Sequence, residues 1–147
     1  MVTGSCLCGA VAFEIDGRVT DIQLCHAARC RKATGAAFAP ELAAERADFR
    51  FVKGGSEVQT WEAPVLHEPP AYKRAFCRHC GSPLPWELDG TPFMVVLAGV
   101  LDGDFGTRPF RHAWTDEGAP WFEIADGLPS FGEAVPAGER LPKRGQD

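Results

Sequence analysis

The sequence predicts a mainly β fold of short strands joined by turns, and three observations carry that reading. Glycine (16) and proline (12) are abundant for 147 residues, a share that suits tight turns better than a helical bundle. Apolar residues recur in short runs at period two, the alternation that turns one face of a strand into a core. Turn-forming pairs, Asp16-Gly17, Gly54-Gly55 and Asp89-Gly90, separate those runs.

In chain order, residues 10–15 place Val11, Phe13 and Ile15 on one face of a first strand. After Asp16-Gly17, residues 19–25 resume with Ile22 and Leu24, and the two runs are expected to form a hairpin that delivers Cys25 to the edge of a site. Residues 35–40 read as extended, with Pro40 at an edge or strand end. Residues 43–48 are expected to make one helical turn before a strand at 49–52, which Gly54-Gly55 ends. Strands at 58–61 and 72–77 flank a loop containing His67, Pro69 and Pro70, the segment expected to be most mobile. Residues 83–88 and 93–98 form a hairpin about Asp89-Gly90, and its second arm is apolar on both faces, as a central strand is. A last short strand covers 110–114. The length suits one domain, read as residues 1–135, followed by a polar tail at 136–147.

Six cysteines fall into three pairs, Cys6 and Cys8, Cys25 and Cys30, Cys77 and Cys80. A Cys-x-Cys and a Cys-x-x-Cys pair each present two sulfurs to a common point from one tight turn. Two such pairs fill the tetrahedral shell that zinc prefers, so Cys6, Cys8, Cys77 and Cys80 are the candidate metal ligands. A disulfide framework is the competing use of an even cysteine count. The opening residues Met1-Val2-Thr3-Gly4-Ser5 do not show the basic and apolar regions of an export signal. Reduced thiols, metal binding and a cytoplasmic location are therefore expected.

Composition narrows the function classes. Hydrophobic residues at 45% and aromatic residues at 10% are those of a globular protein. No apolar run approaches the roughly 20 residues that cross a bilayer, so no membrane partner is expected. Fifteen Lys and Arg against 20 Asp and Glu give net −5, which opposes contact with a polyanion, so nucleic acid is not an expected partner. There is no Gly-rich phosphate loop, nucleophile elbow or His-Glu-x-x-His.

Four segments occur in a fixed order: Gly4-Ser5-Cys6-Leu7-Cys8-Gly9-Ala10-Val11; Cys25-His26 through Cys30-Arg31-Lys32 to Gly35; Phe76-Cys77-Arg78-His79-Cys80-Gly81-Ser82; and Ala119-Pro120-Trp121-Phe122-Glu123-Ile124-Ala125-Asp126-Gly127-Leu128-Pro129. Together they resemble the family of glutathione-dependent formaldehyde-activating enzymes, which includes centromere protein V. The resemblance runs from Gly4 to about Phe131. It implies several small antiparallel sheets around a structural zinc, the β-tent or Mss4-like fold, with that zinc on Cys6, Cys8, Cys77 and Cys80. It also implies a carbon–sulfur lyase chemistry, the reversible joining of formaldehyde and glutathione to S-(hydroxymethyl)glutathione, with a glutathione-like thiol as partner.

The family's catalytic zinc is held by a Cys-x-Cys-x-x-Cys motif, and the matching stretch here is Cys25-His26-Ala27-Ala28-Arg29-Cys30. Ala27 stands where the middle ligand would be. A catalytic zinc keeps about three protein ligands and an open position, so this second set is one short. Cys25 and Cys30 are the implied catalytic residues. Either they hold a metal whose third ligand comes from elsewhere or from the substrate sulfur, or they hold none and one reacts directly, its thiolate favoured by Arg29 and Arg31. The alternative is a non-catalytic, zinc-stapled binding module of the same fold.

Weaker signals surround this set. His26 neighbours Cys25 and should point to the opposite face, towards solvent. His67 sits in a loop that can swing in as a ligand, His79 lies inside the Cys77–Cys80 turn facing water, and His112 has no informative spacing. Arg29, Arg31 and Lys32 form a basic cluster suited to the carboxylates of an anionic thiol such as glutathione. Phe38, Trp61, Trp86, Phe93 and Trp121 read as core residues before pocket residues.

Overall fold

The computed structural model describes residues 1–62 and 73–136. His67, Pro69, Pro70 and the tail beyond Pro136 lie outside the described residues. The strands are β1 (Val2–Ser5), β2 (Ala12–Ile15), β3 (Ile22–Cys25), β4 (Ala39–Glu45), β5 (Phe49–Lys53), β6 (Val58–Glu62), β7 (Lys73–Cys77), β8 (Pro83–Leu84), β9 (Trp86–Glu87), β10 (Phe93–Leu97) and β11 (Pro109–Ala113). One α-helix, α1 (Ala28–Thr34), follows β3, and single 3-10 turns occur at Arg46–Asp48, Gly55–Glu57, Ala98–Val100 and Thr115–Glu117. The fold is mainly β, built of several small sheets. Among the described residues, no helix is long and apolar enough to cross a membrane.

The described residues group into two compact units, Met1–Val19 with Ala43–Phe105, and Thr20–Leu42 with those from Gly106 onward. In the first unit, β2 lies between β1 and β5 in an antiparallel sheet. The period-two reading holds here: Val11, Phe13 and Ile15 are all buried. Phe13 packs against Phe49 at 5.6 Å between ring centroids, and Phe49 meets Phe51 edge to face. Full burial of a side chain such as Phe13 or Ile15 contributes about 1.5–3 kcal/mol. Gly54 ends β5 at φ 63, and a Cβ there would sit 2.0 Å from the Ala10 carbonyl, so only glycine fits.

A second antiparallel sheet sets β7 between β6 and β8. The hairpin about Asp89-Gly90 forms, with Met94 opposite Glu87 and Val95 opposite Trp86, but its first arm is β9 alone, because Pro83 and Leu84 of the expected 83–88 arm pair with β7. Met94, Val96 and Leu97 of its second arm are buried.

The expected hairpin between residues 10–15 and 19–25 does not form. Beyond β2 the Asp16 N–H donates to the Asp48 carbonyl at 2.9 Å, and a Cβ on Gly17 would run into the Asp48 carboxylate. The Asp16-Gly17 segment is thus held along the turn before β5 and does not fold back on β2. Residues 43–45 likewise continue as strand, and the helical turn starts only at Arg46. Strand partners are set by contacts far along the chain, to which a two-residue period is blind.

In the second unit, β3 pairs antiparallel with β4, Leu24 opposite Pro40 and Cys25 opposite Ala39, and parallel with β11, Leu24 opposite His112. Ile22, Leu24, Ala37, Ala39, Leu42 and Ala113 are buried around it. α1 ends in a left-handed Gly35, whose N–H donates to the Arg31 carbonyl at 2.8 Å. Of the aromatics read as core, Trp86 is buried, but Trp61 and Trp121 are 56% and 71% exposed. Trp61 is on β6, an edge strand that leaves four of its five residues exposed, which explains its failure to join the core.

Candidate metal and thiol sites

The first unit gathers Cys6, Cys8, Cys77 and Cys80, whose sulfurs all lie within 4.8 Å of one another. Cys6 follows β1, and the Gly9 N–H closes the turn by donating to the Cys6 carbonyl at 3.0 Å. Cys77 ends β7, and the Gly81 N–H closes the matching turn on the Cys77 carbonyl at 2.8 Å. The Leu7 N–H donates to the Ser82 hydroxyl at 2.9 Å and ties the two turns together. Cys6 and Cys8 sulfurs are 3.6 Å apart, Cys8 and Cys77 sulfurs 3.8 Å. A tetrahedron of zinc–sulfur bonds of about 2.3 Å has edges of about 3.8 Å, which these two separations match, so the donor set suits that ion. The four thiols are not alike: the Ser82 hydroxyl and backbone N–H pull the Cys80 thiol down to about 5, the Val11 N–H donates to Cys6 Sγ at 3.3 Å, and Cys8, beside the Cys6 sulfur, is pushed up to about 11. His79 points away, hydrogen-bonding Glu57 at the surface.

The second unit holds the other pair. Cys25 at the end of β3 and Cys30 in α1 are both buried, with sulfurs 2.9 Å apart. Glu41 of β4 joins them: its Oε1 is 3.5 Å from Cys30 Sγ, and the three donor atoms lie within 4.8 Å of one another. Ala27, where the family motif has a cysteine, is buried. The start of α1 is fastened by Glu117, whose Oε2 accepts from the Ala28 N–H at 2.7 Å and whose carbonyl accepts from Arg31 Nε at 3.0 Å.

The basic residues do not converge. Arg29 and Lys32, three apart in the helix, share one face, while Arg31 lies round the helix and is engaged with Glu117. Lys32 is exposed, Arg29 and Arg31 half-buried.

His26 is buried, not solvent-facing. The strand alternation stops at Cys25, because the chain turns into α1 there, so the opposite-face rule no longer applies. Its Nε2 is 2.8 Å from His112 Nδ1, and His112 Nε2 is 2.9 Å from Asp126. The Asp126 carboxylate can only accept, so His112 donates from Nε2; with a neutral His112 ring, Nδ1 would then accept from His26 Nε2 and leave the His26 Nδ1 as an acceptor. Burial pushes the His26 pKa down, with His112 and Arg31 adding to the effect, which keeps the ring neutral. Phe38 and Phe122 flank it at 5.4 and 6.2 Å between ring centroids.

Sequence reasoning therefore missed Glu41, Glu117, His112, Asp126 and the burial of His26. Asp126 lies in the fourth motif segment and was the one available signal. Elsewhere in the first unit a cavity of about 630 Å³ is lined by Trp61, Arg74 and Trp86 among others, and by no cysteine.

The family model for glutathione-dependent formaldehyde-activating enzymes matches residues 1–117. The chain belongs to that family. A Halomonas elongata protein provisionally named as a glutathione-dependent formaldehyde-activating enzyme is 31% identical over 129 residues, covering 84% of this chain and 81% of the relative. A Rhodobacter sphaeroides protein of known crystal structure shares the fold, with a TM-score of 0.53 and 26% identity over 73% of this chain and 97% of the other. Family membership and two cysteine groups able to hold a metal together describe a glutathione-related metal-binding protein.

Proposed function

We propose that the protein is a zinc-binding carbon–sulfur lyase acting on a small thiol adduct such as S-(hydroxymethyl)glutathione. In this reading Cys6, Cys8, Cys77 and Cys80 hold a structural zinc, and Cys25 and Cys30 are the catalytic thiols. The observation that carries it is the Cys25–Cys30 pair, buried and 2.9 Å apart, in a chain of this family. A cytoplasmic setting, where thiols stay reduced, suits both sets.

A metal at the second set would lower the pKa of a substrate thiol and polarise the aldehyde carbonyl. The protein's own residues do the rest. Burial of Cys25 and Cys30 keeps water from the reacting sulfur. Arg29 and Lys32, on one face of α1, attract the substrate's carboxylates, and Arg31 braces the helix through Glu117. In the cleaving direction the carbon–sulfur bond breaks, its electron pair goes to sulfur, and the hydroxyl proton passes to the departing thiolate as the carbonyl forms.

The second reading is a non-catalytic zinc-stapled binding module, favoured by Ala27 in the middle ligand position. The test is the rate of adduct formation from formaldehyde and glutathione. Acceleration by the unmodified chain that is lost in Cys25→Ser and Cys30→Ser supports the lyase; no acceleration by the unmodified chain leaves the binding module.

A further inference from the structure

We propose that Glu41 replaces the missing middle cysteine and completes a second metal site of two thiolates and one carboxylate with Cys25 and Cys30. The inference rests on the reading above only in treating those two cysteines as functional. No cysteine spacing points to Glu41, because it arrives by sheet pairing. Cys25 pairs with Ala39, so their side chains share a face of the sheet, and Glu41, two residues further along β4, returns to that face. Cys30 enters from α1, and its sulfur stands 3.5 Å from Glu41 Oε1.

That separation, which a thiol–carboxylate hydrogen bond also allows, matches a metal site. A tetrahedral ion with a metal–oxygen bond of about 2.0 Å and a metal–sulfur bond of about 2.3 Å sets its oxygen and sulfur donors about 3.5 Å apart. The two sulfurs, at 2.9 Å, must part by about 1 Å to reach the corresponding sulfur–sulfur edge, a movement within reach of side-chain rotation. Three thiolates and two thiolates plus a carboxylate carry the same charge, so the exchange of Ala27 and Glu41 for a middle cysteine leaves a bound divalent ion equally neutralised. The consequences differ. Thiolates still select zinc or cobalt over magnesium or calcium, while the oxygen donor gives less electron density and leaves the ion a stronger Lewis acid towards a substrate oxygen. The fourth position stays open, as in catalytic rather than structural sites.

The test loads the full chain with zinc, and separately with cobalt(II) alone, and measures metal per chain together with thiolate-to-cobalt charge-transfer absorption. The unmodified chain is expected to bind two equivalents. Glu41→Gln is expected to weaken one of them at least tenfold, to remove the absorption of the two-thiolate site and to leave the melting temperature close to that of the unmodified chain. Ala27→Cys in the Glu41→Gln background is expected to restore the second equivalent, which shows that the pocket is intact and that a ligand was lost. One equivalent in the unmodified chain, or two in Glu41→Gln with undiminished affinity, overturns the assignment. Glu41→Gln that keeps its metal but loses activity also overturns it, making Glu41 a proton acceptor and not a ligand. Because metal content is read without turnover, a Glu41-dependent second equivalent in a chain that does not accelerate adduct formation keeps this site and removes the lyase reading.

Discussion

The two cysteine sites are built by opposite means. In the first unit, four sulfurs come from two tight turns, each closed by a glycine N–H, and the pairs meet at tetrahedral spacing. In the second, the donors come from a strand end, a helix and a neighbouring strand, and the sulfurs stand closer than a metal would set them. A turn-built site has its geometry written into short stretches of backbone. A site assembled from three elements inherits its geometry from the fold and has donors that can still move. The first arrangement suits a permanent clamp, the second a position where something enters and leaves.

Removing the clamp should therefore have the largest effect. Cys77 is fully buried, and a structural zinc in such a site contributes on the order of 10 kcal/mol of apparent folding free energy. Cys77→Ser is expected to abolish cooperative melting and solubility, as is prolonged exposure to a strong chelator. A soluble, metal-free Cys77→Ser protein that melts cooperatively would erase the distinction between the two sites.

Next comes the reciprocal change. Cys30→Ser is expected to abolish acceleration of adduct formation while shifting the melting temperature by only a few degrees, the consequence of about 1 kcal/mol in a domain of this size. Loss of folding equal to that of Cys77→Ser would show that both sites are clamps.

Glu117 tests how much the fold holds the second site in place. Glu117→Ala takes away the carboxylate that accepts from the Ala28 N–H, and about 1 kcal/mol of stability should go with it. Amide exchange should quicken in α1 and stay unchanged around Cys6 and Cys77. Uniform quickening would contradict the local role.

The smallest effect is expected from Asp126→Asn. An amide can still bond His112, so melting should barely change, yet nitrogen NMR should show a changed proton arrangement on the two imidazoles. Unaltered ring signals in Asp126→Asn would mean that the carboxylate does not set them.

Legibility in the sequence followed the same division. The Cys-x-Cys and Cys-x-x-Cys pairs, the core face of Val11, Phe13 and Ile15 and the Asp89-Gly90 hairpin are local patterns, and all appear in the structure, the two cysteine pairs brought together. The partners of β3, the burial of His26 and the approach of Glu41 depend on residues 11 to 88 positions apart being brought together by the fold, which no short periodic pattern announces. The helix α1 has a local signal, since Ala, Arg and Lys fill it and Gly35 ends it, but the spacing of Cys25 and Cys30 draws the same residues towards a ligand motif. Trp61 failed for another reason: strand propensity says nothing about whether a strand lies at the edge of its sheet.

The row from Asp126 through His112 to His26 has a consequence for how the surface addresses the interior. Two imidazoles in line, when both are neutral, have only two self-consistent settings, all protons facing one way or all facing the other. Asp126, with its side chain 44% exposed, stands at the open end and selects one of them. A group in contact with solvent thereby dictates which nitrogen of a ring two bonds deeper offers a lone pair. Protonation of that carboxylate from the solvent side would remove the acceptor that holds the setting, without touching the buried rings.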